Sequence, residues 1–323
     1  MTLDSRTPTV VTLGESMIRY SPRGSARLEQ AQELEMRVAG AASNVAIACA
    51  RLGLHASWIS KLSDNALGRL LESRIAAYGV DTSHVVWTAE HRVGTYYIEF
   101  GSPPRPTRVL YDRENSAFQH ITINEIDWPV VCGADLFHIT GITPALGASC
   151  ERVAFEAMRR AKDAGVRVSF DVNYRSKLWS SVEEARGKLS RLLRLADVAF
   201  LAADEAQAVF GCGESDEDIL AELYQEFAPE IVVLKRDDGA TALHEGRLHR
   251  VGVYETQTVD PIGTGDAFAG GFIVGLLTGD VHKGLAYASA LAALKRTIPG
   301  DVAAVSRAEV EALIEGSDAK IQR

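Results

Sequence analysis

The stretch Val259-Asp260-Pro261-Ile262-Gly263-Thr264-Gly265-Asp266-Ala267-Phe268-Ala269-Gly270-Gly271 carries the reading from which the fold follows. A β-type run at 256–259 leads into a proline turn. Two glycines flanking Thr264 then precede an aspartate and a helical run of small and apolar residues reaching Leu277. Glycines at a helix start let backbone N–H groups converge on one point, and the helix N-terminus adds partial positive charge there. The pattern predicts an anion hole with Asp266 at its rim, placed to take a proton from whatever attacks the bound anion. The same residues also fit an ordinary loop in which Asp266 caps the helix. The preceding chain decides between them.

Upstream, strand-like runs at 10–13, 56–62, 85–87, 135–140, 166–171, 198–201 and 231–234 alternate with helical ones. Residues 39–53 read as a small-residue turn running into a helix that stops at Gly53. Further helices are expected at about 65–78, 149–164 and 182–195, near Glu205 and Asp218, and at 266–278, 282–295 and 306–315. A short hairpin is expected around 244–247, followed by a strand at 251–254. Repeated strand–helix units imply a largely parallel sheet covered on both faces by helices. Two β-rich runs, 96–100 and 107–111, are joined by Gly101-Ser102-Pro103-Pro104-Arg105-Pro106 and break that rhythm. With strand-like pieces at 18–21 and 35–38 they predict a flap, its strands inserted at about 16–38 and 93–113 of one main domain spanning 1–323.

Composition narrows the ligands. The 323-residue chain has an ordinary globular make-up, 46% hydrophobic and 24% charged, with a formal net charge of −9. That balance argues against a nucleic-acid partner or a polyanionic membrane, so positive charge for an anionic ligand must be local. Four scattered cysteines, Cys49, Cys132, Cys150 and Cys212, form no metal or redox spacing and fit a reducing cytosol. The longest apolar stretch, at 267–277, falls well short of the ~20 residues a membrane span needs. A cytoplasmic protein is expected.

Open α/β sheets bind ligands outside the C-terminal ends of their strands. Gly14-Glu15, Thr140-Gly141-Ile142-Thr143-Pro144, Asp171-Val172-Asn173-Tyr174-Arg175, Lys235-Arg236-Asp237-Asp238-Gly239 and Gly263-Thr264-Gly265-Asp266 follow successive predicted strands. Polar groups, glycines and three cations (Arg175, Lys235, Arg236) thus gather at one edge of an acidic protein, which favours an anion or nucleotide site. A Walker A loop, the His-Arg-Asp and Asp-Phe-Gly elements, the dinucleotide fingerprint, zinc spacing and a Gly-x-Ser-x-Gly elbow are all missing from the sequence. An anion hole with its own carboxylate remains.

Asp260-x-x-Gly263-x-Gly265-Asp266-x-Phe268 matches the C-terminal signature of the PfkB, or ribokinase-like, family of sugar kinases. Residues 40–53 resemble its N-terminal signature, with Ala39 where the family more often has a second glycine. The likeness runs from Gly14 to about Asp301. Within the family the chain looks most like 2-keto-3-deoxygluconate kinases, on the stretches 138–146, 169–175 with Leu178-Trp179-Ser180, and 232–236. The resemblance implies a ribokinase-like three-layer α/β/α fold with a mainly parallel central sheet and a small β-sheet lid. It also implies a phosphotransferase in which ATP phosphorylates the C6 hydroxyl of 2-keto-3-deoxygluconate, giving 2-keto-3-deoxy-6-phosphogluconate. Family members acting on fructose, 2-keto-3-deoxygalactonate or a deoxy-keto-inositol derivative are alternatives, as is a non-catalytic sugar- or nucleotide-binding regulator.

The same resemblance assigns roles. Asp266 would accept the hydroxyl proton, and the N–H groups of Gly263, Thr264 and Gly265 would stabilise the transferred phosphoryl group. Gly40, Tyr96, Tyr111, Arg113, Arg175 and Asp301 would join Asp266 in contacting substrate, with an arginine fork suited to the sugar-acid carboxylate. Asn173, Arg175, Lys235 and Gly239 would face the nucleotide together with Gly263 and Gly265. Magnesium is expected with ATP. The family's Asn-x-x-Glu motif appears here as Ala202-Ala203-Asp204-Glu205, leaving Glu205 to reach the metal through water. The segment 235–240 is one residue shorter than the usual glycine-containing loop. A homodimer through the flap, or a larger homo-oligomer, would cover the apolar run 96–100.

Overall fold

The computed structural model of the chain describes residues 6–316; the start of the polar N-terminal tail and residues 317–323 lie outside it. Nine strands form the main sheet: β1 (Thr9–Leu13), β4 (His55–Ser63), β5 (Val85–Thr88), β8 (Leu136–Thr140), β9 (Arg167–Asp171), β10 (Val198–Ala202), β11 (Ile231–Arg236), β12 (Gly239–His244) and β13 (Arg247–Gly252). Their order is β13-β12-β11-β10-β9-β8-β1-β4-β5. From β11 to β5 every pairing is parallel, and β12 and β13 add an antiparallel edge. Strand β8, with the sequence LFHIT, is buried along its whole length. That is the mark of a parallel strand covered on both faces.

Helices supply the covers. Ala41–Arg51, Thr264–Leu277 and Val281–Arg296 pack one face into a core that includes Ile47, Trp58, Phe200 and Phe272. Ala148–Asp163, Val182–Leu193 and Asp216–Phe227 pack the other around Phe137, Phe170, Leu189 and Leu220. This is the expected three-layer α/β/α arrangement. A second, four-stranded sheet forms the lid in the order β3-β2-β6-β7, from β2 (Met17–Ser21), β3 (Glu35–Ala39), β6 (Thr95–Glu99) and β7 (Arg108–Asp112). The described cysteines are all free, with Cys49 and Cys150 buried.

The structure corrects two sequence readings. Residues 256–259 form no strand: the Val259 and Asp260 N–H groups both donate to the Arg296 carbonyl, at 2.8 and 3.1 Å, instead of to a strand neighbour. The hairpin around 244–247 joins two full strands, so the strand expected at 251–254 begins at Arg247 and ends at Gly252. Small residues in β12 (Gly239, Ala240, Ala242) hide its strand character. Residues 235–240 are accordingly the end of β11, a tight turn and the start of β12.

Candidate active site

The C-terminal ends of β9, β10 and β11, the turn before helix Thr264–Leu277 and the underside of the lid enclose a cavity of about 1140 Å³. Its lining includes Gly40, Tyr96, Asn173, Arg175, Glu205, Lys235, Gly263, Thr264, Gly265, Asp266 and Asp301. Sequence distance between these residues is large, and the parallel topology brings them together.

Gly263 makes the turn. It sits at φ +83°, and a Cβ there would fall on the backbone carbonyl of Asp301. Both conformation and contact demand glycine. Gly265 differs: beyond its own helix and chain neighbours, a Cβ on it would meet nothing within 4 Å, so its smallness keeps space open in the cavity. Thr264 closes the turn through its hydroxyl, which donates to the Pro261 carbonyl at 2.7 Å. Its N–H leans to the same oxygen at 3.4 Å. Among the described residues, the N–H groups of Gly263, Gly265 and Asp266 have no hydrogen-bond partner. A helix start with unused donors is an anion site in waiting.

Asp266 is not the helix cap. Gly263 occupies that position without a side-chain bond, and Asp266 lies in the first turn. Its Oδ2 accepts from Asn44 Nδ2 at 2.7 Å, across from helix Ala41–Arg51. Burial pushes the Asp266 carboxyl up to about 7; the Asn44 bond and Arg175 pull it down, while Asp171 and Asp301 add to the rise. Although its side chain opens partly to the cavity, surrounding protein removes most of its hydration. A carboxylate titrating near neutrality is suited to general-base work.

Next to it, Lys235 Nζ donates to both oxygens of Asp171, at 2.9 and 3.1 Å. Burial lowers the Lys235 pKa, but Asp171 and Glu205 outweigh that and leave it above its usual value. Glu205 accepts from the Tyr174 and Ala202 N–H groups at 2.8 and 2.9 Å, and burial raises its carboxyl. Asn173 holds a left-handed backbone (φ 40°), which turns the chain after β9 toward the cavity. Arg175 is exposed and has no ion-pair partner among the described residues. It is therefore the available fork for a phosphate or carboxylate. Arg236 is engaged by Asp216 and the Glu214 carbonyl.

The lid reaches the site through charge. Arg19 of β2 is 1% exposed and bridges two carboxylates, Asp301 Oδ1 at 2.5 Å and Asp260 Oδ2 at 2.7 Å. Tyr96 of β6 donates its hydroxyl to Asp301 Oδ2 at 2.6 Å. Burial raises the Asp301 carboxyl despite both bonds, and raises the Tyr96 phenol well above its usual range. Asp260 also accepts from the Ile262 and Gly300 N–H groups, at 3.0 and 2.9 Å. Gly40 lines the cavity in extended conformation (φ −173°) where a Cβ would strike the Glu15 carbonyl.

Three residues singled out in the sequence do not line the cavity. Arg113 is buried and ion-paired with Glu15, which also accepts from Ser116. Tyr111 is 45% exposed and stacks on Tyr96 with ring centroids 5.7 Å apart. Gly239 sits inside the β12 ladder, against the Val251 carbonyl. Conversely, Asn44, Asp171, Arg19 and Asp260 carry the site's bonds without having been assigned roles. Asn44, one helical turn after Gly40, and Asp171, at a strand end, had legible positions. Arg19 had none, because only the lid pairing reveals it.

Comparison with known proteins agrees with this architecture. Residues 7–307 match the pfkB family of carbohydrate kinases. The chain is 44% identical over 319 residues to a 2-dehydro-3-deoxygalactonokinase of Haloferax volcanii, covering 98% of this chain and 100% of that one. It resembles the crystal structure of a 2-dehydro-3-deoxygluconokinase from Thermotoga maritima with a TM-score of 0.91 and 33% identity, over 96% of this chain and 99% of that one. An E. coli structure in complex with ATP and Mg2+ shares the fold at a TM-score of 0.86 and 24% identity, over 96% and 99% of the two chains. The chain belongs to the pfkB family of carbohydrate kinases.

Proposed function

We propose that this kinase phosphorylates the terminal hydroxyl of a 2-keto-3-deoxy sugar acid at the expense of MgATP, with Asp266 as the general base. The observation that carries the reading is the pairing of the unused N–H groups of Gly263, Gly265 and Asp266 with a carboxyl whose pKa is raised to about 7. The donors face the transferred phosphoryl group while Asp266 removes the hydroxyl proton. Arg175 and Lys235, which both line the cavity, steady the anionic phosphates or the substrate carboxylate.

The residues fit magnesium carried by a nucleotide. The described chain holds no group of three metal-binding side chains. Both Glu205 oxygens already accept backbone N–H groups, and Asp171 is paired with Lys235. Such a set suits an ion that keeps its waters and is held mainly by phosphates, with Glu205 and Asp171 acting through water. Magnesium there supplies neutralisation of phosphate charge.

Between epimers, the 44% identity to a galactonokinase favours 2-keto-3-deoxygalactonate, with 2-keto-3-deoxygluconate second. A coupled ADP-release assay over both acids, 5-dehydro-2-deoxygluconate and fructose tests this. Preference for a keto-deoxy acid is expected. Preference for fructose overturns the substrate class, and no ADP release with any sugar overturns the enzymatic reading.

The lid also supports a homodimer. Register places Met36, Tyr20, Tyr97 and Leu110 in one row across the lid face opposite Arg19 and Tyr96. Met36 and Leu110 are 44% and 62% exposed, and Tyr20 stacks on Tyr97. Light scattering on wild type and Leu110→Glu tests the pairing; a wild-type monomer refutes it. Among the described residues, no helix is long and apolar enough to cross a membrane.

A further inference from the structure

Lys295, near the end of helix Val281–Arg296, is fully buried and lies outside the cavity lining. Its ammonium donates to the Asp260 carbonyl at 2.8 Å and lies 3.5 Å from the Ile298 carbonyl. Those oxygens belong to the two turns that shape the anion hole. One runs from Asp260 to Gly263; the other ends at Asp301, on whose backbone Gly263 rests. The Gly300 N–H ties the same turns together by donating to Asp260.

Four buried charges meet here: Arg19 and Lys295 against Asp260 and Asp301. They balance in sign, and Lys295 alone among them addresses backbone carbonyls of both turns. A methionine of similar length would fill the same volume without desolvating an ammonium, so packing does not account for the charge. Burial lowers the Lys295 pKa while Asp260 and Asp301 hold it up.

We infer that Lys295 is a positioning residue for phosphoryl transfer, a built-in ammonium that draws the two turns together and so fixes the N–H groups of Gly263, Gly265 and Asp266. The inference rests on the phosphoryl-transfer reading of that turn. A displaced donor set weakens the interaction made in the transition state more than ground-state binding, so the effect belongs in kcat.

The test uses full-length Lys295→Met and Lys295→Ala with MgATP and whichever sugar acid the wild type accepts. Lys295→Met is expected to fold and to lose about tenfold or more in kcat, with KM for both substrates within about threefold of wild type. Lys295→Ala leaves an ammonium-sized space beside two carbonyls. Its loss in kcat should be partly restored by ammonium chloride and not by tetramethylammonium chloride at equal ionic strength, with wild type indifferent to both. A Lys295→Met kcat within about twofold of wild type overturns the inference, because donor placement of this kind is worth far more. Equal responses of Lys295→Ala to the two salts also overturn it. So does failure of both variants to fold even with ammonium present, since the charge would then serve the fold alone. A wild type inactive on every sugar acid would instead sink the functional reading beneath it.

Discussion

Asn44 donates its side-chain amide to Asp266 at 2.7 Å, joining the helix that opens with Gly40 to the turn that holds the unused N–H groups. This bond favours the ionised carboxyl against the burial that raises it to about 7. In Asn44→Ala the pKa should therefore rise further. The acid limb of kcat/KM is expected near pH 7 in wild type and at higher pH in the variant, which should lose most activity below neutrality. A pH–rate profile checks this, and an unmoved limb would show that Asn44 does not tune the base.

On the proposed mechanism, Asp266→Asn removes the general base. General-base catalysis contributes roughly 10²–10⁴-fold, and a loss of that size in kcat is expected in the ADP-release assay. Stability should respond with the opposite sign. The folded-state pKa of Asp266 lies above its ordinary value of 3.8, so the native state binds an extra proton between about pH 4 and 7. The stability this carboxyl contributes is present at pH 4 and lost as pH rises through 7. Relative to wild type, Asp266→Asn should gain in Tm across that window and hold the gain above it.

The two turn glycines should separate under mutation. Gly263→Ala forces a side chain into a left-handed backbone, at a cost of about 1–2 kcal/mol, and onto the Asp301 carbonyl besides. It should lower Tm clearly. Gly265→Ala meets nothing beyond its own helix and chain neighbours and lies within the helix, where alanine is favoured over glycine by about 0.5–1 kcal/mol. It should fold at least as well as wild type, yet lose about 10²-fold in kcat as the methyl group occupies the ligand's space. Thermal melts beside kinetics decide the matter.

Arg113 and Arg175 are both arginines near one site, with different expected failures. Arg113→Ala leaves Glu15 buried without its charged partner, a change worth about 3–5 kcal/mol of stability. Any rise in KM should then be shared by acidic and neutral sugars. Arg175→Ala removes an exposed guanidinium that has no ion-pair partner among the described residues. Tm should stay within a degree or two while KM for the sugar acid or ATP rises about tenfold, as expected for a charge-assisted contact. An Arg113→Ala protein that melts like wild type would refute the first half.

Much of this was legible in the chain because local rules agreed. Buried parallel strands announce themselves as short apolar runs, as at 198–201, and Gly263-Thr264-Gly265-Asp266 names its own geometry. The strand β12 escaped because Gly239, Ala240 and Ala242 pack without bulk. Residues 256–259 looked like a strand because β-propensity is silent about which partner takes the N–H groups. The site divides along the same line. Residues that act through backbone shape, such as Gly263, could be read from sequence alone. Residues that act through a partner distant in the chain could not: Arg113 reads as a free cation until Glu15 is found against it, and Arg19 has no motif at all.

That arginine ties the lid to the site. Its two ion pairs anchor β2 to the floor of the site, and drawing it out would leave Asp260 and Asp301 buried without their shared cation. A rigid rotation of the four-stranded sheet that keeps those pairs and the Tyr96 bond to Asp301 would turn about the line from Arg19 to Tyr96, as a door turns about its pins. In the order β3-β2-β6-β7, the strand bearing Leu110 and Tyr111 stands outside the pins, at an edge of the sheet. The sugar would then enter beneath β7, under the free edge of the door.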